Sequence, residues 1–122
     1  MAVPFVEQNY GLHLDYGVPS LGQIDGILDD LRRDQRFENI QPILFSLGCY
    51  VGEVIVRNAK ARWCTPESLG LPAIASSPIV LEMADGRNCN PVGKVYRRFE
   101  HGSTDDLAVF YRSIAEAPKG AP

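Results

Sequence analysis

The stretch Ile40–Trp63, IQPILFSLGCYVGEVIVRNAKARW, is the longest apolar run in the chain, and its reading decides the fold. Wound as a helix at about 100° per residue, it gathers Ser46, Cys49, Tyr50, Glu53, Arg57 and Lys60 onto one narrow polar stripe. Phe45, Leu47, Val51, Val54, Ile55 and Val56 cover most of the remaining circumference. An outer helix shows a single apolar stripe, whereas one that is apolar over most of its girth is contacted from several sides. The β-branched residues would suit a strand, but the run is too long for one and does not alternate. The segment therefore reads as a central buried helix ending at Trp63. Gly48, Gly52 and Ala59 share its apolar arc. Each glycine costs about 0.5–1 kcal/mol against alanine inside a helix, which predicts a neighbour that approaches too closely for a Cβ. The unbroken apolar portion is shorter than the roughly 20 residues a membrane span requires, and it contains Glu53. No membrane segment is predicted.

At 122 residues the chain is long enough for one domain with one core. Apolar content of 45% and charged content of 22% are ordinary for a globular protein. A net charge of −3 and an isoelectric point near 5.3 leave no basic field for nucleic acid. The opening MAVPFVEQ has neither a charged n-region nor an apolar h-region, so no signal peptide is read there. Cys49, Cys64 and Cys89 are odd in number and lack metal-ligand spacing. Reduced thiols in a cytoplasm are expected, with no metal and no cofactor.

Around the central helix the other elements follow in order. Phe5 to Tyr16, with Leu12, Leu14 and Tyr16 alternating against His13 and Asp15, reads as a short strand or extended lead-in. Ser20 as N-cap and Gln23 three residues on form a capping box, opening an amphipathic helix through Ile24, Ile27, Leu28 and Leu31. Asp25, Asp29, Asp30 and Arg32 are assigned to its solvated face. Asp34 to Asn39 is a polar connector, with Pro42 marking the next helix start. After Trp63, Cys64 to Ser77 is mostly loop, Pro78 to Met83 a strand, Ala84-Asp85-Gly86 a turn, and Arg87 to Cys89 the antiparallel return. Asn90-Pro91 supplies an N-cap and a proline at the first helical position, and Gly102 ends that helix. Ser103 caps a last helix whose buried edge is Leu107, Phe110, Tyr111 and Ile114. The prediction is a single α+β domain over residues 1–116, with about four helices packed around a central buried helix and a small antiparallel hairpin. Residues 117–122 (APKGAP beginning at Ala117) read as a disordered tail.

Leu47-Gly48 and Gly52-Glu53 in one helix, Trp63 at its end, an extended segment, and Asn90-Pro91 followed by Lys94 and Arg97-Arg98 together resemble a small bacterial domain family of unknown function. Its members show a Gly-x-x-x-Gly-Glu helix, a Trp, and a His-Pro or Asn-Pro that opens a Lys/Arg-rich helix. The resemblance covers Pro42 to Gly102, about half of the chain. This sequence differs by carrying Asn90 where histidine is common, and by its proline-rich Cys64 to Ser77 loop. The family brings no established activity. It implies a fold and, by analogy with small acidic proteins of this kind, an immunity-like or adaptor role.

Among candidate ligand- or partner-binding residues, Glu53 comes first, because a carboxylate in a largely buried helix needs a partner. Arg57 one turn on is in the favoured order for an ordinary ion pair. The sharper reading places Tyr50, Glu53 and Arg57 in a cleft, with Arg97 or Arg98 across from them, to hold a polar or anionic ligand. Trp63 is a core anchor or an interface hot spot. Cys49 on the same stripe suggests a thiol nucleophile, but no base stands near it in sequence, and a small core cysteine explains it. Asn58 satisfies a neighbouring loop, and Lys94, Arg97 and Arg98 form a solvated face. No catalytic set is recognisable at any spacing. The preferred reading is a non-enzymatic protein-interaction module, immunity-like or adaptor. The rival is a small ligand-binding domain or enzyme using the Glu/Tyr/Arg cleft, and a third is a homodimer built on an apolar patch near Trp63 or the hairpin edge.

Overall fold

A computed structural model describes residues 2–34, 37–71, 78–102 and 106–115. Among these residues are five helices and a three-stranded antiparallel sheet, so the chain is α+β. The helices are α1 (Ala2–Tyr10), α2 (Ser20–Arg33), α3 (Gln41–Asn58), α4 (Pro91–His101) and α5 (Leu107–Ala115). The strands β1 (Ala61–Cys64), β2 (Val80–Met83) and β3 (Asn88–Cys89) pair in sequence order. Ser103, part of the proline-rich loop (72–77) and the C-terminal tail lie outside the described residues.

The long central segment is a helix, but it stops at Asn58 rather than Trp63. Ala59 is extended (φ −131°, ψ 161°), and Ala61 to Cys64 pair with Met83 to Val80. The apolar run thus holds a helix and a strand, so Lys60 leaves the polar stripe and Trp63 belongs to the sheet. Asn58 closes the helix with its own side chain, donating to Val54 O and to Tyr16 O at 2.8 Å each. That Tyr16 carbonyl is the neighbouring-loop partner the sequence called for. Leu44, Leu47, Val51, Val54 and Ile55 are fully buried, each such side chain contributing about 1.5–3 kcal/mol.

Both helix glycines sit where another element comes too close for a side chain. A Cβ on Gly48 would stand 2.7 Å from the Cα of Val92 on α4. On Gly52 it would fall inside the Trp63 indole and 3.1 Å from Pro91 Cγ. Packing of α3 on α4 and on β1 therefore offsets the helix-propensity penalty.

Four local expectations are corrected. The lead-in begins as a helix, because Ala2 and Val6 bury one side of α1 and Gly11 (φ +64°) ends it; only the part beyond is irregular, with Leu14 buried. The Ser20–Gln23 capping box does not form: Pro19 occupies the cap position without a side-chain bond, and the Ser20 hydroxyl donates to Gly17 O at 2.6 Å. The acidic side of α2 is not wholly solvated, since Asp25 is buried. Arg98 of α4, also assigned to water, is 3% exposed.

That second polar cluster ties three helices together. Arg98 Nε donates to Asp25 Oδ1 at 2.8 Å, and its two terminal nitrogens reach the Asp29 carboxylate at 2.8 and 3.1 Å. The Leu107 N–H at the start of α5 lies 3.2 Å from both Asp25 oxygens. Asp25 also shares a hydrogen bond with Asp106. Burial, then that bond, pushes Asp25 up to about 7, while Asp106 is held low. Elsewhere Asn90 caps α4 by accepting from Gly93 N at 2.8 Å, and Gly102 (φ +77°) ends it. Gly86 closes the β2–β3 turn at φ +91°.

Candidate functional site

Tyr50 projects from α3 toward the loop before α2 and is 3% exposed. Its hydroxyl accepts the Tyr16 N–H at 2.8 Å and lies 2.7 Å from Ser20 Oγ. Ser20 has one proton and gives it to Gly17 O, so Tyr50 donates to Ser20. The relay Tyr16 N–H, Tyr50 O–H, Ser20 O–H, Gly17 C=O uses every donor once and fastens the loop to α3. Burial raises the Tyr50 phenol above its ordinary range. Tyr16, held at φ +63°, lays its ring against Tyr50 with centroids 4.8 Å apart.

One turn further along α3, Glu53 meets two donors. Trp63 Nε1 donates to Oε1 at 3.2 Å, and Arg57 Nε donates to Oε2 at 3.3 Å. The Arg57 guanidinium also rests 3.7 Å from the centroid of the Tyr16 ring, a cation–π arrangement. Glu53 therefore joins the helix to the sheet through Trp63 and to the loop through Arg57 and Tyr16. Because Gly52 has no side chain, the Cζ2–Cη2 edge of the indole packs against α3 there, and its N–H reaches Glu53.

A cavity of about 490 Å³ opens onto this stripe. Phe45, Ser46, Cys49, Tyr50 and Glu53 of α3 form its floor. The first turn of α1 (Ala2, Val3, Pro4) lines it from above, with Tyr16, Trp63 and Ile79 at the sides. The walls are mainly apolar, with the Glu53 carboxylate and the Ser46 hydroxyl as polar points. Burial raises the Cys49 thiol above its ordinary value, so it stays protonated and is a poor nucleophile.

Of the residues singled out in the sequence, Tyr50, Glu53, Arg57 and Trp63 come together in one connected set. Arg97 and Arg98 do not line the cavity; Arg97 is exposed and Arg98 is committed to Asp25 and Asp29. Sequence reasoning missed Tyr16, Val3 and Ile79, which reach the site only through tertiary packing. It also missed Asp25, although a partial signal was there: on the helical wheel Asp25 falls beside Leu21, at the edge of the apolar stripe. Among the described residues no cluster of three or more His, Cys, Asp or Glu is placed to hold a metal ion. No helix among them is long and apolar enough to cross a membrane.

No protein-family model matches the chain, and comparison with curated proteins and with solved structures gives no significant match.

Proposed function

We propose that the chain is a small ligand-binding module whose site is the cavity along the Ser46–Glu53 stripe of α3. The supporting observation is the cavity itself, about 490 Å³ with apolar walls and one half-buried carboxylate. Such composition and size are usual for small-molecule sites. Its polar groups suit binding rather than turnover: the Tyr50 hydroxyl is fully used, the Cys49 thiol is protonated, and Glu53 is already hydrogen-bonded. A cytoplasmic setting belongs to the same proposal, supported by three free cysteines, as does kinship with the small bacterial domain family. The alternative, an immunity-like or adaptor module, rests on the acidic composition. For the homodimer, Val109 is the large apolar side chain that stands exposed among the described residues, and Trp63 is instead half-buried at the cavity.

Trp63 is the only tryptophan in the chain, so its emission reports the cavity directly. Titration with a panel of small amphiphiles should shift that emission and raise the melting temperature in parallel. A panel that changes neither at millimolar concentrations would sink the reading.

A further inference from the structure

We propose that the cavity takes an elongated organic amine, its ammonium on the Glu53 carboxylate and its apolar body running along α3 toward Ser46. This rests on the ligand-binding reading above and specifies its chemistry. The argument is an inventory of what each polar group leaves for a guest. The Tyr50 hydroxyl spends its proton on Ser20 and accepts from Tyr16, so it has no donor left, and the Trp63 N–H is spent on Glu53. A carboxylate has about four acceptor sites, and among the described residues one donor reaches each of the two Glu53 oxygens. What remains at this end is acceptor capacity, so the guest must be a donor there.

Charge selects a cationic donor over a neutral one. Glu53 is partly stripped of water, its side chain 32% exposed, and its cationic neighbour Arg57 is 53% exposed and touches it through one 3.3 Å contact while resting on the Tyr16 ring. Exposed pairs of this kind hold weakly, so an ammonium can share or replace Arg57. Its hydrogen bonds are charge-assisted and stronger than those of a hydroxyl or amide. The net charge of −3 also draws cations, and a carboxylate guest would face Glu53 directly. Ser46 and Glu53 are two turns apart, about 10 Å along the helix axis. Phe45 and Ile79 line the space with apolar groups, which suits an alkyl or aryl body. At the far end the Ser46 hydroxyl can donate or accept.

Octylamine, octanol and octanoate share this body and differ in the head. Titrated against the full chain at neutral pH, with Trp63 emission as readout, octylamine should bind about tenfold more tightly than octanol, and octanoate most weakly. Glu53→Gln should erase the advantage of octylamine over octanol. Added salt should erode the advantage of the amine in the native chain without touching octanol, a check that does not depend on the variant folding. If all three bind alike, or octanoate binds best, the amine assignment falls while the cavity reading stands. If none binds, both fall.

Discussion

The Trp63 indole occupies the space that a Cβ on Gly52 would need. Helix and sheet meet there with no room for a methyl group, and the contact also aims the indole N–H at Glu53. Gly52→Ala should therefore destabilise the protein by about 1–3 kcal/mol, even though alanine is the better helix former. Gly48→Ala should behave alike, since the obstacle is Val92 backbone. Gly26→Ala on α2, where a Cβ meets nothing within 4 Å, should instead stabilise by about 0.5–1 kcal/mol. Urea denaturation of the three variants checks both signs.

Among the described residues, Arg98 is the cation hydrogen-bonded to both Asp25 and Asp29 in the α2–α4 contact. Arg98→Met keeps the volume but strands the acidic pair. It should cost about 3–5 kcal/mol at neutral pH, with a smaller loss in acid. Thermal melts across pH would show it; a variant as stable as the native chain would mean that the buried pair contributes nothing.

Asp25 carries an acid dependence of definite sign. Its carboxyl is raised from 3.8 to about 7 by burial and by the bond to Asp106, so the folded chain holds a proton there that the unfolded chain releases. That contribution is full below about pH 4 and is lost as pH rises through about 7. Asp29 and Asp106 are shifted down, so their contribution is present in neutral solution and fades only as pH falls below the ordinary carboxylate range. Between these limits Asp25 governs. Asp25→Asn, which mimics the protonated form, should flatten the decline in stability between about pH 5 and 8. An unchanged slope would refute the assignment.

Tyr50→Phe keeps the ring against Tyr16 and removes the middle of the relay. The Tyr16 N–H and Ser20 then lose their partner, at about 1–3 kcal/mol. Amide exchange should quicken at Tyr16 and its neighbours while Val51 and Val54 stay protected.

The α+β class, the helical nature of the long apolar segment, the close approach at Gly48 and Gly52, and the Asn90 cap could all be read from the chain, because each depends on local spacing or on one residue's backbone needs. The end of α3 could not. Arg57 to Trp63 contains no glycine or proline to stop a helix, and only pairing with Met83 to Val80 makes Ala61 to Cys64 a strand. For the same reason the partners of Glu53 were half visible: Arg57 lies one turn away, but Trp63 reaches it from the sheet. Arg98 looked like a surface residue because its partners lie on another helix, and helical periodicity says nothing about which helix will face it.

Asp25 is separated from Arg98 by 73 residues and from Leu107 by 82. On a ribosome adding about 5–20 residues per second, α2 would emerge roughly 4–15 s before the guanidinium that completes its buried end. The buried end of α2 can therefore be completed only once the chain through Leu107 has been made.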